Sequence, residues 1–322
     1  MKTAAGLRRH LGLLCAALVV SCASMPRPLP APDVFSAEVL AGRLDLEHFD
    51  FEAAGYWKRD STSRLVWLGD VQRAVFGTRL DSDTCDLNER RRFAAVMWLV
   101  VVQQSAEAET WRANYTALRR ALLAHDELVS AAAAKIEPAQ DARVTELRRR
   151  VARDQAIRDL PRLDKLAEGM PDLSRQHWVA IRLGRMMAID CDNTEWLAAQ
   201  MREIGWFDIP RYGARANQDA WLLVQHADRN KPFQRETLAY LEKLPPGMTE
   251  PRNIALLFDR VAIGEGRMQR YGTQGKCLAD GSWVPHDVEN VAELDARRQA
   301  IGLMPMADYI KGFDGICPRA TK

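Results

Sequence analysis

The chain has 322 residues, 47% hydrophobic, 27% charged and 7% aromatic, with 45 Lys and Arg against 43 Asp and Glu. That composition excludes a disordered chain, a collagen-like repeat and a polytopic membrane protein. The length holds one large domain or two modest ones, with ample core.

Met1-Lys2 and Arg8-Arg9 precede an apolar run over residues 11–20, then Ser21-Cys22. A basic start followed by a short apolar run is an export signal. The run is too short for a transmembrane helix, which needs about 20 apolar residues. Val19-Val20-Ser21-Cys22 resembles the bacterial lipobox, which implies cleavage before Cys22 and lipid modification of that cysteine. The competing reading is an ordinary cleaved signal, with Cys22 incidental. Residues 1–21 are read as a lipoprotein signal peptide and 22–34 as a Pro-rich, semi-rigid tether. Acyl chains supply membrane affinity without a spanning helix. Ala23, not Asp, follows Cys22, and by the same resemblance the expected place is the outer membrane of the cell envelope, facing the periplasm.

Cleavage removes Lys2, Arg8 and Arg9 and no acid, leaving 42 basic and 43 acidic side chains, a formal net charge of −1. No strong basic field remains to collect nucleic acid, which is not an expected partner. The expected partners are the membrane, through the lipid, and an envelope ligand or protein. Cysteine usage agrees with export. Apart from Cys15 and Cys22, four cysteines remain: Cys85, Cys191, Cys277 and Cys317. In an oxidising compartment they read as two disulfides, with three pairings open. The preferred one joins Cys277 to Cys317, pinning the tail, and Cys85 to Cys191, tying the two halves. No C-x-x-C is present, so neither a zinc ribbon nor a thioredoxin-type site is indicated.

Most of the rest reads as helix. Residues 87–130 contain no Pro or Gly and are rich in Ala, Arg, Glu and Leu. Residues 93–102 are apolar all round but only ten long, a buried core helix rather than a span. Pro138 marks a break after an Ala run. Helical spacing resumes over 141–160 and is expected to stop at Pro161; 175–188 is helical again. Asp192-Asn-Thr-Glu195 has capping-box spacing, which predicts a new helix through Ile204, closed by Gly205. Further helices are read over 215–226, 233–244, 252–263 and 291–301. Residues 268–274 and 281–285 flank the turn signal Asp280-Gly281 and predict a hairpin. The expected fold class is mainly α, a helical domain with a small β-hairpin near the C-terminus. Asp83-Thr-Cys-Asp-Leu-Asn88 faintly echoes Asp190-Cys-Asp-Asn193, but the spacings differ and no solenoid period appears.

From about residue 150 the polar residues come as short clusters: Asp154-Gln155-x-x-Arg158, Asp190 with Asn193, Gln225-His226-Ala-Asp228, Phe233-Gln234, Asp259-Arg260, Gln269-x-Tyr271-Gly-Thr273-Gln274 and Arg297-Arg298. On a helix Asp154 and Arg158 are i,i+4 neighbours and can pair, most simply as a solvated surface pair. Gln155 points about 100° away, which makes a second polar contact available. His226 and Asp228 would lie nearly opposite on a continuous helix, so both line one site only if the helix ends near Ala227. Asp259 and Arg260 end an apolar helix and need partners if buried. The alternatives there are a packing network or an anion binder with Arg260 as a forked donor. Tyr271, Thr273 and Gln274 offer uncharged donors and acceptors, for a polar ligand or an internal network.

This order of motifs resembles the bacterial domain of unknown function 6624 family. Its members carry an Asp-Gln-x-x-Arg helix, a Gln-His-Ala-Asp segment, an Asp-Arg pair ending an apolar helix and a Tyr-Gly-Thr-Gln segment. The match covers residues 150–312, leaving a helical N-terminal region over 35–149 without a recognised counterpart and a tail at 313–322. The resemblance implies a fold and a shared polar site, and names no reaction.

No G-x-S-x-G elbow, P-loop or H-E-x-x-H occurs. His226-x-Asp228 offers two metal ligands and no third at ligand spacing, so neither metal nor cofactor is expected. Two function classes follow. A binding or structural module of the envelope needs only a polar cleft and an anchor. It is favoured because no nucleophile stands out. The alternative is an envelope hydrolase or transferase using His226 with Asp228 or Asp259 on a glycan or peptide.

Overall fold

The computed structural model describes residues 32–41, 43–44, 46, 49, 61–76, 85–86, 94–101 and 108–317. The signal peptide, Cys22 and the tether up to residue 31 lie outside them, as do parts of the long predicted helix at 87–93 and 102–107. The described helices open with α1 (Pro32–Leu40), α2 (Ser61–Phe76), α3 (94–101) and α4 (Ala108–Ala134). Then come α5 (Ala142–Ala156), α6 (Leu160–Leu166), α7 (Asp172–Ile204), α8 (Ile209–Gln225), α9 (Lys231–Leu241) and α10 (Pro251–Gly264). Strands β1 (Gly275–Cys277) and β2 (Trp283–Pro285) form an antiparallel hairpin. A 3-10 turn, Val291–Glu293, leads into α11 (Leu294–Ala300), and α12 is Met306–Lys311. The architecture is mainly α with one small hairpin, as expected. No described helix is long and apolar enough to cross a membrane.

Three helices share one opening. Asp159, Asp208 and Asn230 each cap a helix through a side-chain oxygen, and each is followed two residues later by Pro161, Pro210 or Pro232. A proline in the first turn loses no helical hydrogen bond, because its missing N–H would have been unpaired there. This corrects the expected stop at Pro161: α5 ends earlier, at Ala156, and Pro161 begins α6.

Asp192 also departs from expectation. It does not start a helix; α7 runs unbroken through it for 33 residues, roughly 50 Å at 1.5 Å per residue. No Gly or Pro separates Ala188 from Asp192. The Asp192 carboxylate accepts from Arg150 Nη1 at 2.8 Å, so it has a partner without leaving the helix. Gly205 does close α7, at φ 82°, where a Cβ would meet the Tyr240 hydroxyl at 2.5 Å.

The long helix joins two cores. Near its start, Trp178 and Ile181 enter a cluster with Phe35, Val75, Trp98 and Leu118 from α1 to α4. Near its end, Leu197 enters another with Leu147, Phe207, Leu223 and Leu257. Full burial of each such side chain is worth about 1.5–3 kcal/mol. A third, small cluster lies under the hairpin, where Phe313 stacks on Trp283 at 4.2 Å between ring centroids. Disulfides join Cys85 to Cys191 and Cys277 to Cys317, the preferred pairing. The second closes the tail onto β1 beside that stack.

The hairpin is shifted from its expected first strand. Residues 268–274 form no strand: Gln269 makes an isolated bridge to Val288, and the ladder begins at Gly275. The reason lies in Asp259, which occupies the backbone N–H groups of Arg270, Tyr271 and Thr273. Those donors are therefore not free for a ladder.

Candidate functional site

Three polar networks hold the residues singled out from the sequence. The first lies where α5, α7 and the end of α8 meet. Asp154, on α5, has no solvent exposure. Its carboxylate accepts from Gln155 Nε2 at 2.8 Å, from Arg158 Nη1 at 2.7 Å and from His226 Nδ1 at 2.8 and 2.9 Å. The surface pair expected of Asp154 and Arg158 is thus a buried one, and Gln155 turns back to its neighbour instead of pointing away. Arg158 also donates through Nη2 to Asp190 Oδ1 on α7 at 2.6 Å. Burial pushes the Asp190 carboxyl above the usual carboxylate range, Arg158 opposes this, and the charge of Asp154 adds to it.

The chain geometry that His226 needs is present. α8 ends at Gln225, and His226 is its C-cap residue, with its backbone N–H on Leu222 O. The ring is 21% exposed. An ionised carboxylate only accepts, so the proton sits on Nδ1 and Nε2 is left as the acceptor. Nε2 makes no hydrogen bond among the described residues. Asn193, one turn after Asp190, faces elsewhere and accepts from Arg150 Nη1 at 3.3 Å.

The second network surrounds Asp228. Arg260 Nη1 donates to both its oxygens at 2.8 and 3.0 Å, and Gln234 Nε2 donates at 3.2 Å. Arg260 Nε donates to Gln225 Oε1 at 3.0 Å, which brings the first residue of the Gln225-His226-Ala-Asp228 segment into the network. Buried Gln234 also donates to Val224 O, so it braces the chain where it leaves α8. Burial raises the Asp228 carboxyl, but Arg260, Lys231 and Gln234 together outweigh this and hold it below its ordinary value.

The third network is internal. Asp259 has no exposure and accepts from the backbone N–H groups of Arg270, Tyr271 and Thr273 and from Thr273 Oγ1, at 2.7–3.2 Å. Gln269, equally buried, accepts from Gln274 N and donates to Gln274 O and His286 O. From the other side, Arg297 and Arg298 donate to the carbonyls of Arg270 and Tyr271. Gly272 makes the tight turn at φ 70°, where a Cβ would meet Met306 Sδ at 3.0 Å. The loop is clamped by a carboxylate on its N–H groups and guanidinium groups on its carbonyls. Tyr271 packs edge-on to Phe258, and no hydrogen bond or ring contact joins it to His226 or Arg260 among the described residues.

Asp154, Asp190 and His226 also bring carboxylate and imidazole ligand atoms within 4.8 Å of one another, a grouping of metal-binding type. Sequence spacing missed it because the three come from three helices. Arg158 already bonds both carboxylates, so a cation there would have to displace a guanidinium.

A family model described as Family of unknown function (DUF6624) matches residues 146–317, just over half of the chain. The chain belongs to the DUF6624 family. All three networks fall inside the DUF6624 segment, as does the tail up to Cys317, which the disulfide and the Trp283–Phe313 stack make part of the same unit. No curated protein and no solved structure matches the chain.

Two outcomes follow. Asp259→Ala leaves three buried N–H groups and a hydroxyl without their acceptor, at about 1–3 kcal/mol for each unsatisfied group. Urea denaturation is expected to register a loss above about 3 kcal/mol. For Asp228, whose native pKa lies below its ordinary value, the stabilisation is present above that ordinary value and is lost as pH falls through the lowered one. Asp228→Asn is therefore expected to melt below the parent at neutral pH, with the gap closing as thermal melts are taken into the acid range.

Proposed function

We propose that this protein is a lipid-anchored component of the bacterial cell envelope whose DUF6624 domain carries out acid–base chemistry at His226, as a hydrolase or transferase acting on an envelope glycan or peptide. The observation that carries the chemical part is the hydrogen bond from His226 Nδ1 to the buried Asp154 carboxylate. A fixed Nδ1–H leaves Nε2 as the base. It takes a proton from a water or hydroxyl, the carboxylate offsets the charge gained by the ring, and the same proton is returned to a leaving group. Asp154 replaces Asp228 and Asp259 as the acid beside His226, since those two are committed to Arg260 and to the loop. The preference for a binding or structural module rests on the absence of a nucleophilic side chain, a role that a water held at Nε2 would fill.

The anchor rests on the order of Arg8-Arg9, the apolar run and Val19-Val20-Ser21-Cys22. Two disulfides are compatible with an oxidising compartment. A second reading, a structural or binding module, is favoured by one fact: Gln155, Arg158 and Asp190 close the same network internally and tie α5 to α7.

Cys22→Ser is expected to abolish fatty-acid labelling and release the protein from membranes; unchanged labelling would reject the anchor. For the chemistry, turnover is measured on a panel of envelope glycans and peptides. His226→Gln and Asp154→Asn are each expected to lower it about 10²–10⁴-fold while circular dichroism stays unchanged. Turnover of no panel member, or equal turnover by the variants, leaves the structural reading.

A further inference from the structure

Away from His226, two adjoining grooves meet at the loop that leads into α5, sharing Gln140 and Asp141. Neither is lined by a member of the three networks. The first has a volume of about 470 Å³ and is lined by Arg148 of α5 and by Arg211 and Tyr212 at the start of α8. The second, of about 590 Å³, is lined by Glu146, Trp196, Gln200 and Glu203. Both are open grooves rather than enclosed cavities.

Their polar groups are unevenly satisfied. The carboxylates are largely engaged: Asp141 caps α5 through Arg143 N, Glu203 pairs with Arg143, and Glu146 pairs with Arg150. The cations of the first groove are not. Neither Arg148 nor Arg211 makes a side-chain hydrogen bond or ion pair among the described residues. Arg148 interacts electrostatically with Asp219, but that carboxylate bonds Arg215 Nε at 2.8 Å. Arg211 lies over the Tyr212 ring, 4.9 Å from its centroid. The Tyr212 hydroxyl is buried and has no hydrogen-bond partner, and in the second groove neither has the buried Gln200 Oε1.

We infer that the two grooves form one binding site for a small ligand with a carboxylate or phosphate at one end and N–H or O–H donors at the other. The two guanidinium groups of the first groove, which no carboxylate hydrogen-bonds, fit a bidentate oxyanion. At the other end Glu146 and Glu203 present acceptors to an amine or hydroxyl. A short peptide with a free carboxylate has this layout, and so does an amino-sugar phosphate. The site is independent of the chemistry at His226.

Titration calorimetry on the purified protein with two probes, dialanine and inorganic phosphate, tests this. Saturable binding of at least one is expected, about tenfold or more weaker in the Arg148→Gln, Arg211→Gln double variant. Arg211 is exposed, so Arg211→Gln alone keeps the fold and must still weaken binding. Tighter binding of dialanine assigns the anion as a carboxylate, and tighter binding of phosphate as a phosphate. Absence of saturable binding by both probes, or binding unchanged in the double variant, overturns the inference.

Discussion

A carboxylate without solvent contact has to be met by donors from the protein, because an unpaired buried charge costs far more than any single contact returns. Asp154 is that carboxylate, and the middle of the DUF6624 domain is arranged around it. Its donors come from its own helix, from the residue just beyond that helix and from the end of α8. Arg158 then carries the demand onward to Asp190 on α7. Three helix positions are therefore fixed by one charge. α8 stops at Gln225, which leaves His226 on Asp154 and lets Asp228 turn to Arg260.

The length of α7 follows from the same demand. Its first part serves the core of α1 to α4, and its last part serves the core of α5, α8 and α10. Between them lie Asp190, Cys191 and Asn193, where polar and covalent links replace apolar packing. Had a capping box at Asp192 opened a new helix, the chain would have bent between Asp190 and Leu197. Asp190 could not then face Arg158 while Leu197 faced Leu147 and Phe207. Cys191 is almost fully buried in this stretch, and its bond to Cys85 ties the N-terminal region to the helix beside the polar network.

The helical character, the end of α8 near Ala227 and the cysteine pairing were legible in the chain, because each rests on local signals or a small set of combinations. Asp159, Asp208 and Asn230 were legible too, as caps followed by proline, yet Pro161 reads as a stop unless the cap before it is weighed. Asp192 misleads for the opposite reason: capping spacing does not reveal Arg150, 42 residues away, as a rival partner. The site was legible as a set of residues and not as pairs. His226 has Asp228 two residues away and bonds Asp154, 72 residues away. Spacing along one helix carries no information about that pairing. Arg148 and Arg211 escaped notice altogether, since their interest lies in the partners they lack.

Two fully buried aspartates, Asp154 and Asp259, are met by different kinds of donor. Asp259 is satisfied almost wholly by backbone N–H groups of one short loop. Such donors do not titrate, turn or leave, so the carboxylate serves as a staple and its work is finished on folding. Asp154 is satisfied by side chains alone, and one of them is an imidazole with its second nitrogen turned outward. An imidazole exchanges a proton at Nε2 while Nδ1–H stays on the carboxylate. The charge that fixes three helices is therefore also able to answer an event at the surface. The proposed acid–base role of His226 rests on this difference in donor type, more than on the burial the two aspartates share.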